Sequence, residues 1–405
     1  MFDRNFVVLE LANILAGPIT AMFFAELGAR VIKVENPHTN GDATRQYKLP
    51  GEDPASDVSA YFACANWGKE SVAIDTATAA GRGIVLDLAQ RADIVIASFK
   101  PGDDVKLGLD PATLRALNPR LIYARISAYG NDDPRPGFDA ILQAEAGFTY
   151  LNGEPDGPPT KMPVALIDLL LAHQLKEGLL LALLKRERTG AGSLVSGSLL
   201  QAGVASLANQ ATNFLIGGVV PTRMGSEHPN IVPYGTVLTC SDGRELVIAS
   251  GTERQYRALM TALELTTIGA DARFVTGQLR VINRAALLAV LRPCAAAFTG
   301  EALAARLTQA KVPFGFVNDM AAVFAQPGAQ QVLLTGRTPQ GTVLRGVRSF
   351  IVDGDATTPA YPTVPPGLHE HAHAVLGDYL GYDAARVQHL RQSGAFGTLD
   401  SEGNF

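Results

Sequence analysis

Cysteine is nearly absent from this chain: Cys64, Cys240 and Cys294 are all it has. Their number is odd, they lie far apart, and none falls in a CxxC or Cys/His ligand spacing. That excludes a disulfide framework and a zinc-binding cysteine set, and the three read as buried thiols of a reducing compartment. Long uninterrupted apolar runs are missing as well. The longest candidate, 164–184, is broken by Asp168, His173, Gln174, Lys176 and Glu177. Charges near a bilayer centre cost a few kcal/mol each, so a buried core helix is expected rather than a membrane span. Met1-Phe2-Asp3-Arg4 lacks the basic stretch of a secretory leader. Charge of one sign is lacking too. The 34 basic and 39 acidic residues leave a net −5 with no long Lys/Arg run, which argues against nucleic acid as a partner. No Walker GxxxxGK[ST], GxGxxG or GxSxG occurs. A nucleotide-phosphate cradle, a dinucleotide fingerprint and an esterase elbow therefore lack their sequence carriers.

What is present is a core-rich chain of 405 residues, 47% hydrophobic and 18% charged, long enough for two domains. Short apolar runs at Phe6 to Leu11, Val31 to Val34, Ser71 to Ile74, Ile94 to Ala97 and Leu121 to Ile126 read as strands covered on both faces. Helix-like stretches such as Ile19 to Leu27 and Thr78 to Arg91 fall between them. The pattern predicts an α/β fold with a doubly wound, mostly parallel sheet. Gly217-Gly218, Pro221, Pro229 and Pro233 punctuate the chain. A hairpin around Ser241-Asp242-Gly243 and helices to about 325 follow, which predicts a smaller α/β domain. The expected division is a large domain at 1–205, a linker at 206–222, a small domain at 223–325, and a return segment at 326–405 completing the large domain.

His369, His371 and His373 alternate with other residues, and as a strand they would share a face. The alternative is a solvated turn before the last helix, and no metal site is assigned. The most informative segment is the Gly/Pro loop Gly153 to Pro159 followed by Pro163-Val164-Ala165-Leu166-Ile167-Asp168. It delivers a carboxylate to the first turns of an apolar helix, a costly placement unless the carboxylate is paired or used. A helix-start aspartate favoured by the macrodipole is the other reading.

Several ordered segments resemble the class III CoA-transferases, the CaiB/BaiF family, from about residue 7 to about 395. They are Ala16-Gly17-Pro18, Leu27-Gly28-Ala29, Val31-Ile32-Lys33-Val34-Glu35, Asn66 to Ser71 with Asp75, and Phe99-Lys100-Pro101-Gly102 with Leu107-Gly108. Arg135-Pro136-Gly137-Phe138-Asp139, the Pro163 to Asp168 segment, and His228-Pro229 with Pro233-Tyr234-Gly235 continue the likeness. The resemblance implies a Rossmann-like large domain, an interlocked homodimer in the cytoplasm, and Asp168 as acyl carrier. The reaction implied is transfer of CoA from an acyl-CoA, with succinyl-CoA favoured, to a small carboxylic acid, through an aspartyl anhydride and an aspartyl-CoA thioester. It implies no permanently bound cofactor and no membrane partner, the coenzyme A thioester being a substrate.

For CoA contacts the resemblance points to Asn13, Ile14, Leu15, Ala16, Lys69, Ser98, Phe99 and Lys106. Arg45 and Arg223 are candidates for the distal carboxylate of a dicarboxylic acid, since guanidinium pairs with carboxylate bidentately. The chain departs from the family with Asn36 where Arg is common and Ser98 where Asn is common. It also lacks the glycine-rich loop of formyl-CoA:oxalate transferases. The same fold houses α-methylacyl-CoA racemases, which need a His where this chain has Phe138, so racemisation lacks a base here. A non-catalytic acyl-CoA-binding protein is the third reading.

Overall fold

The computed structural model describes residues 1–351 and 362–397. It divides into two units, one built from 1–146, 163–207 and 331–405, the other from 147–162 and 208–330.

The first unit is organised by six parallel strands: β1 (Val7–Leu11), β2 (Arg30–Glu35), β3 (Lys69–Ala73), β4 (Ile94–Ala97), β5 (Ile122–Ser127) and β6 (Leu194–Ser198). Their order is β3-β2-β1-β4-β5-β6. All five strands expected from the sequence are present, within two residues at their ends. β6 was not anticipated, because Leu-Val-Ser-Gly-Ser at a sheet edge lacks the apolar run that marks the central strands. Helix α1 (Ala16–Glu26) follows β1 and is buried along its whole length. The helix Ala79–Arg91 links β3 to β4 and starts on the Thr78 hydroxyl, which accepts from Gly81 N–H. The interrupted apolar run becomes the long helix Leu166–Thr189, and no single described helix is long and apolar enough to cross a membrane.

The C-terminal segment returns to this unit. Ala372, Val375, Leu376, Val387, Leu390 and Phe396 pack with Val72, Ile84, Val85 and Leu88 against one face of the sheet. A second return element is the antiparallel hairpin Leu333–Arg337 with Val343–Val347, where a linker was expected. It covers the buried Trp67 together with Met22. A Cβ on Gly346 would stand 2.3 Å from Trp67 Nε1, so glycine is required for this approach. Residues 352–361 of the return segment lie outside the described residues.

The second unit holds a three-stranded antiparallel sheet, Tyr234–Thr239, Glu245–Ala249 and Phe314–Phe316. Leu238, Leu246 and Ile248 of the sheet pack with Leu259, Leu287, Leu291, Leu303 and Leu307 from helices. The hairpin turns at Ser241-Asp242-Gly243 as the sequence suggests, with Gly243 at φ +78°. The observed units differ from the expected division at two places. Residues 147–162, with the Gly/Pro loop, group with the second unit rather than the large domain. The expected linker at 206–222 contains a helix, Asn209–Leu215.

Candidate active site

Parallel strands leave loops at their carboxyl ends, and ligands bind where the strand order reverses. In the first unit the reversal lies between β1 and β4. The loop after β1 brings Asn13, Ile14, Leu15 and Ala16 to one pocket, the loop after β4 brings Ser98, Phe99 and Lys100, and the segment after β5 brings Arg135 and Phe138. Asp168, in the first turn of the long helix, lines the same pocket.

Asp168 is 9% exposed. Burial pushes its pKa up to about 7, and the negative charge of Asp139 adds to the rise. Among the described residues no group donates a hydrogen bond to it. A carboxylate with neither donor nor cation keeps its oxygen lone pairs available to attack an electrophilic carbonyl. Asp139 is tied down instead: Oδ1 accepts from the backbone N–H of Ile167 at 2.8 Å and Oδ2 from Gln143 Nε2 at 2.7 Å. Gln143 also donates to the Val164 carbonyl at 3.1 Å. The Arg135–Asp139 segment thus anchors the start of the helix that carries Asp168, whose N-cap residue Ala165 has no side-chain acceptor.

Ile14, Tyr61, Ala165 and Leu169 form a partly buried apolar surround with Leu15, Ile19, Ala65 and Ala172. Burial first, then the charges of Cys64, Asp168 and Asp139, push the Tyr61 phenol up to about 12, so it remains a hydrogen-bond donor at neutral pH. Cys64 is exposed, not buried as expected. Its thiol is nonetheless crowded, and desolvation pushes it up to about 11, leaving it a thiol.

Four of the residues expected to contact substrate stand elsewhere or are otherwise engaged. Lys69 is fully buried: Nζ lies 2.6 Å from Glu10 Oε2 and donates to the Pro18 carbonyl at 2.9 Å and to Asn66 Oδ1 at 2.8 Å. Its three donors are used, so none is left for a phosphate. Arg45 is buried too. Nη2 and Nε pair with Glu35 at 2.7 and 2.8 Å, Nη1 donates to the Asp57 and Pro366 carbonyls, and the guanidinium lies 3.7 Å over the Phe62 ring. It is a structural cation rather than a substrate ligand. Lys106 is exposed on a short helix and pairs with Asp103 at 2.9 Å, outside the pocket lining. Arg223 belongs to the second unit, where Nη1 donates to the Tyr150 carbonyl at 3.2 Å.

Residues 369–373 spell the H-E-x-x-H order of zinc proteases, a match the strand reading passes over. That motif works only on one helix face, and here His369 has φ +62° in a turn. His369 Nδ1 accepts from Ala73 N–H at 2.9 Å and His371 Nδ1 faces Ser71 N–H at 3.4 Å. These rings dock the return segment onto the edge of β3, and no group of described residues is arranged to hold a metal.

Two pocket residues, Lys100 and Asp139, and one residue of the adjoining apolar surround, Tyr61, were not expected from the sequence. Lys100 lines both this pocket and an adjoining cleft with Arg125 and Tyr123, and among the described residues it has no acidic partner. Its signal was available, since it sits inside the Phe99-Lys100-Pro101-Gly102 motif at the end of a central strand. Asp139 drew notice only for its neighbour Phe138. Tyr61 had no local signal at all.

The chain matches the model described as CoA-transferase family III over residues 4–372. It is 36% identical over 379 residues to the succinate–glutarate CoA-transferase of Agrobacterium fabrum, covering 92% of this chain and 94% of that protein. It is 34% identical to the succinyl-CoA:glutarate CoA-transferase of Mus musculus, covering 96% and 88%. Among solved structures, a CaiB/BaiF family protein from Brucella suis superposes with a TM-score of 0.79 at 38% identity, covering 92% of this chain and 98% of that one. A parallel sheet with its pocket at the strand reversal, a buried carboxylate in that pocket, and these likenesses agree: the chain belongs to CoA-transferase family III and is a class III CoA-transferase.

Proposed function

We propose that this enzyme moves CoA from succinyl-CoA to a C4 or C5 dicarboxylic acid, with Asp168 as the covalent carrier. The observation that carries the reading is Asp168 itself, a desolvated carboxylate without a hydrogen-bond donor among the described residues, on the wall of the pocket. The relatives named for succinate and glutarate support the choice of acids.

In the proposed cycle the Asp168 carboxylate attacks the thioester carbonyl. The C–S bond breaks and CoA leaves as thiolate, forming a mixed anhydride. The thiolate then attacks the aspartyl carbonyl of that anhydride, releasing the donor acid and leaving an aspartyl-CoA thioester. The acceptor carboxylate reverses both steps, and the activated acyl bond is conserved throughout. The apolar surround of Ile14, Tyr61 and Leu169 keeps water from both acyl-enzymes. In this reading Ser98, Phe99, Lys100 and the Asn13–Ala16 loop hold CoA, with Lys100 supplying the cation that Lys69 and Lys106 do not. Racemisation has no support in this pocket, since Phe138 lies at its lip and none of the described lining residues is a His.

The enzyme works as a cytoplasmic homodimer in this reading. Leu181 and Leu184 of the first unit are 67% and 58% exposed, and Ile216, Val219 and Val220 of the second are 85%, 62% and 61% exposed. Apolar side chains so displayed fit faces covered by a second copy.

An exchange screen tests the function. Wild-type and Asp168→Ala proteins are each incubated with a panel of acyl-CoAs and free acids, and new CoA thioesters are read by mass spectrometry. New thioesters from wild type only, strongest with succinyl-CoA and a C4 or C5 diacid, are expected. Exchange of an α-proton in a 2-methylacyl-CoA without acid exchange would favour the racemase instead.

A further inference from the structure

The loop after β1 lines the pocket in a conformation its sequence disfavours. Ile14 has φ +71°, a left-handed backbone that a β-branched residue keeps only where its surroundings over-determine it. The restraint is visible. Ile14 N–H donates to both carboxylate oxygens of Asp42, at 3.2 and 3.1 Å. Two residues earlier, the Ala12 carbonyl accepts from Lys33 Nζ at 2.9 Å, and the same ammonium stands 2.9 Å from Asp42 Oδ2. Lys33 and Asp42 therefore grip both ends of a three-residue bend. Thr44 steadies Asp42 through its backbone N–H at 3.0 Å and its hydroxyl at 2.9 Å. Lys33 pairs in turn with Glu10 at 2.7 Å, and Glu10 with Lys69 at 2.6 Å.

All of these side chains are buried. Buried ion pairs rarely improve stability over apolar residues of equal volume, so a cluster of this size calls for another reason. Its geometry supplies one. The bend it holds places Ile14 in the apolar cluster with Ala165 and Leu169, which flank Asp168 on the long helix.

We propose that Asp42, locked by Lys33, is a positioning residue for acyl-CoA binding, holding Ile14 in the left-handed bend that shapes the pocket wall beside Asp168. This rests on the transferase reading above.

The test compares wild type with Asp42→Ala, Asp42→Asn and Ile14→Gly in the exchange assay, with thermal unfolding of each. Asn keeps an acceptor for Ile14 N–H and Ala does not. The acyl-CoA KM is expected to rise about tenfold in Asp42→Ala and clearly less in Asp42→Asn, with kcat and the acceptor KM nearly unchanged, the pattern of lost uniform binding. A merely structural role would lower the unfolding temperature of both and leave KM alone. Should Asp42→Ala fail to fold, Ile14→Gly carries the test, since glycine adopts positive φ without strain. It keeps the bend but removes the side chain that the bend places in the pocket wall, so the acyl-CoA KM is expected to rise. An unchanged acyl-CoA KM in Ile14→Gly or in folded Asp42→Ala overturns the proposal. Absence of exchange by wild type would remove the transferase reading and this inference together, an outcome distinct from active variants with normal KM.

Discussion

Asp139 accepts the backbone N–H of Ile167 at 2.8 Å, one residue before Asp168, so one carboxylate anchors the helical turn that carries the other. The arrangement fixes the position of Asp168 and, after burial, adds to the rise of its pKa to about 7. An aspartate that ionises near neutrality is more basic, and hence more nucleophilic, than one in water.

The first consequence is a pH profile. In the proposed cycle only ionised Asp168 attacks, so kcat/KM for acyl-CoA is expected to fall about tenfold per pH unit below about 7 and to level off above it. Steady-state kinetics in buffers of constant ionic strength measure this. A profile flat down to pH 5 would contradict it.

Asp139→Asn separates charge from anchoring. The amide oxygen can still accept from Ile167, but the negative charge beside Asp168 is gone. The acid limb is expected to move to lower pH with the transferase still active. An unmoved limb would show that burial alone sets the ionisation of Asp168.

Stability responds in the opposite sense to activity. In the unfolded chain an aspartate ionises near 3.9, whereas folded Asp168 ionises near 7. The native state binds its proton more tightly, so the fold loses stability as pH rises from about 4 to about 7, and the full cost stands above that range. At about 1.4 kcal/mol per tenfold change in proton affinity the cost is at most about 4 kcal/mol. Asp168→Asn is expected to be inactive, more stable than wild type at pH 8, and matched to it near pH 4. Denaturant titrations at the two pH values decide.

Lys100 and Lys106 lie six residues apart and carry different expectations. Lys100→Ala is expected to raise the acyl-CoA KM by roughly fivefold or more, the loss of one charge-assisted contact. Lys106→Ala, whose exposed partner is Asp103, is expected to change it little. Equal effects would remove Lys100 from its assigned role.

The parallel strands were legible because burial on both faces leaves unbroken apolar runs such as Ile94 to Ala97. At Asp168 the residues alone leave two readings, a used carboxylate and a helix-start aspartate, and the family resemblance favours the first; that the side chain lines the pocket is visible only in the fold. The burial and pairing of Lys69 and Arg45 were not legible, because a sequence shows a cation but not its partner. Glu10 and Glu35, which engage them, lie 59 and 10 residues away in the chain. Ile14 carries no warning of its left-handed backbone, since the restraint comes from Asp42 across the fold. The Gly153 to Pro159 loop precedes Asp168 closely in sequence yet belongs to the other unit, a division that adjacency along the chain conceals.

The central claim is that Asp168 carries the acyl group, and trapping it is the most direct test. Wild-type enzyme is incubated with succinyl-CoA without acceptor, quenched with hydroxylamine, digested, and mapped by mass spectrometry. The account predicts a hydroxamate on Asp168, dependent on the acyl-CoA and absent when acyl-CoA is withheld. A turning-over enzyme whose label falls on another residue, or on none, would contradict it.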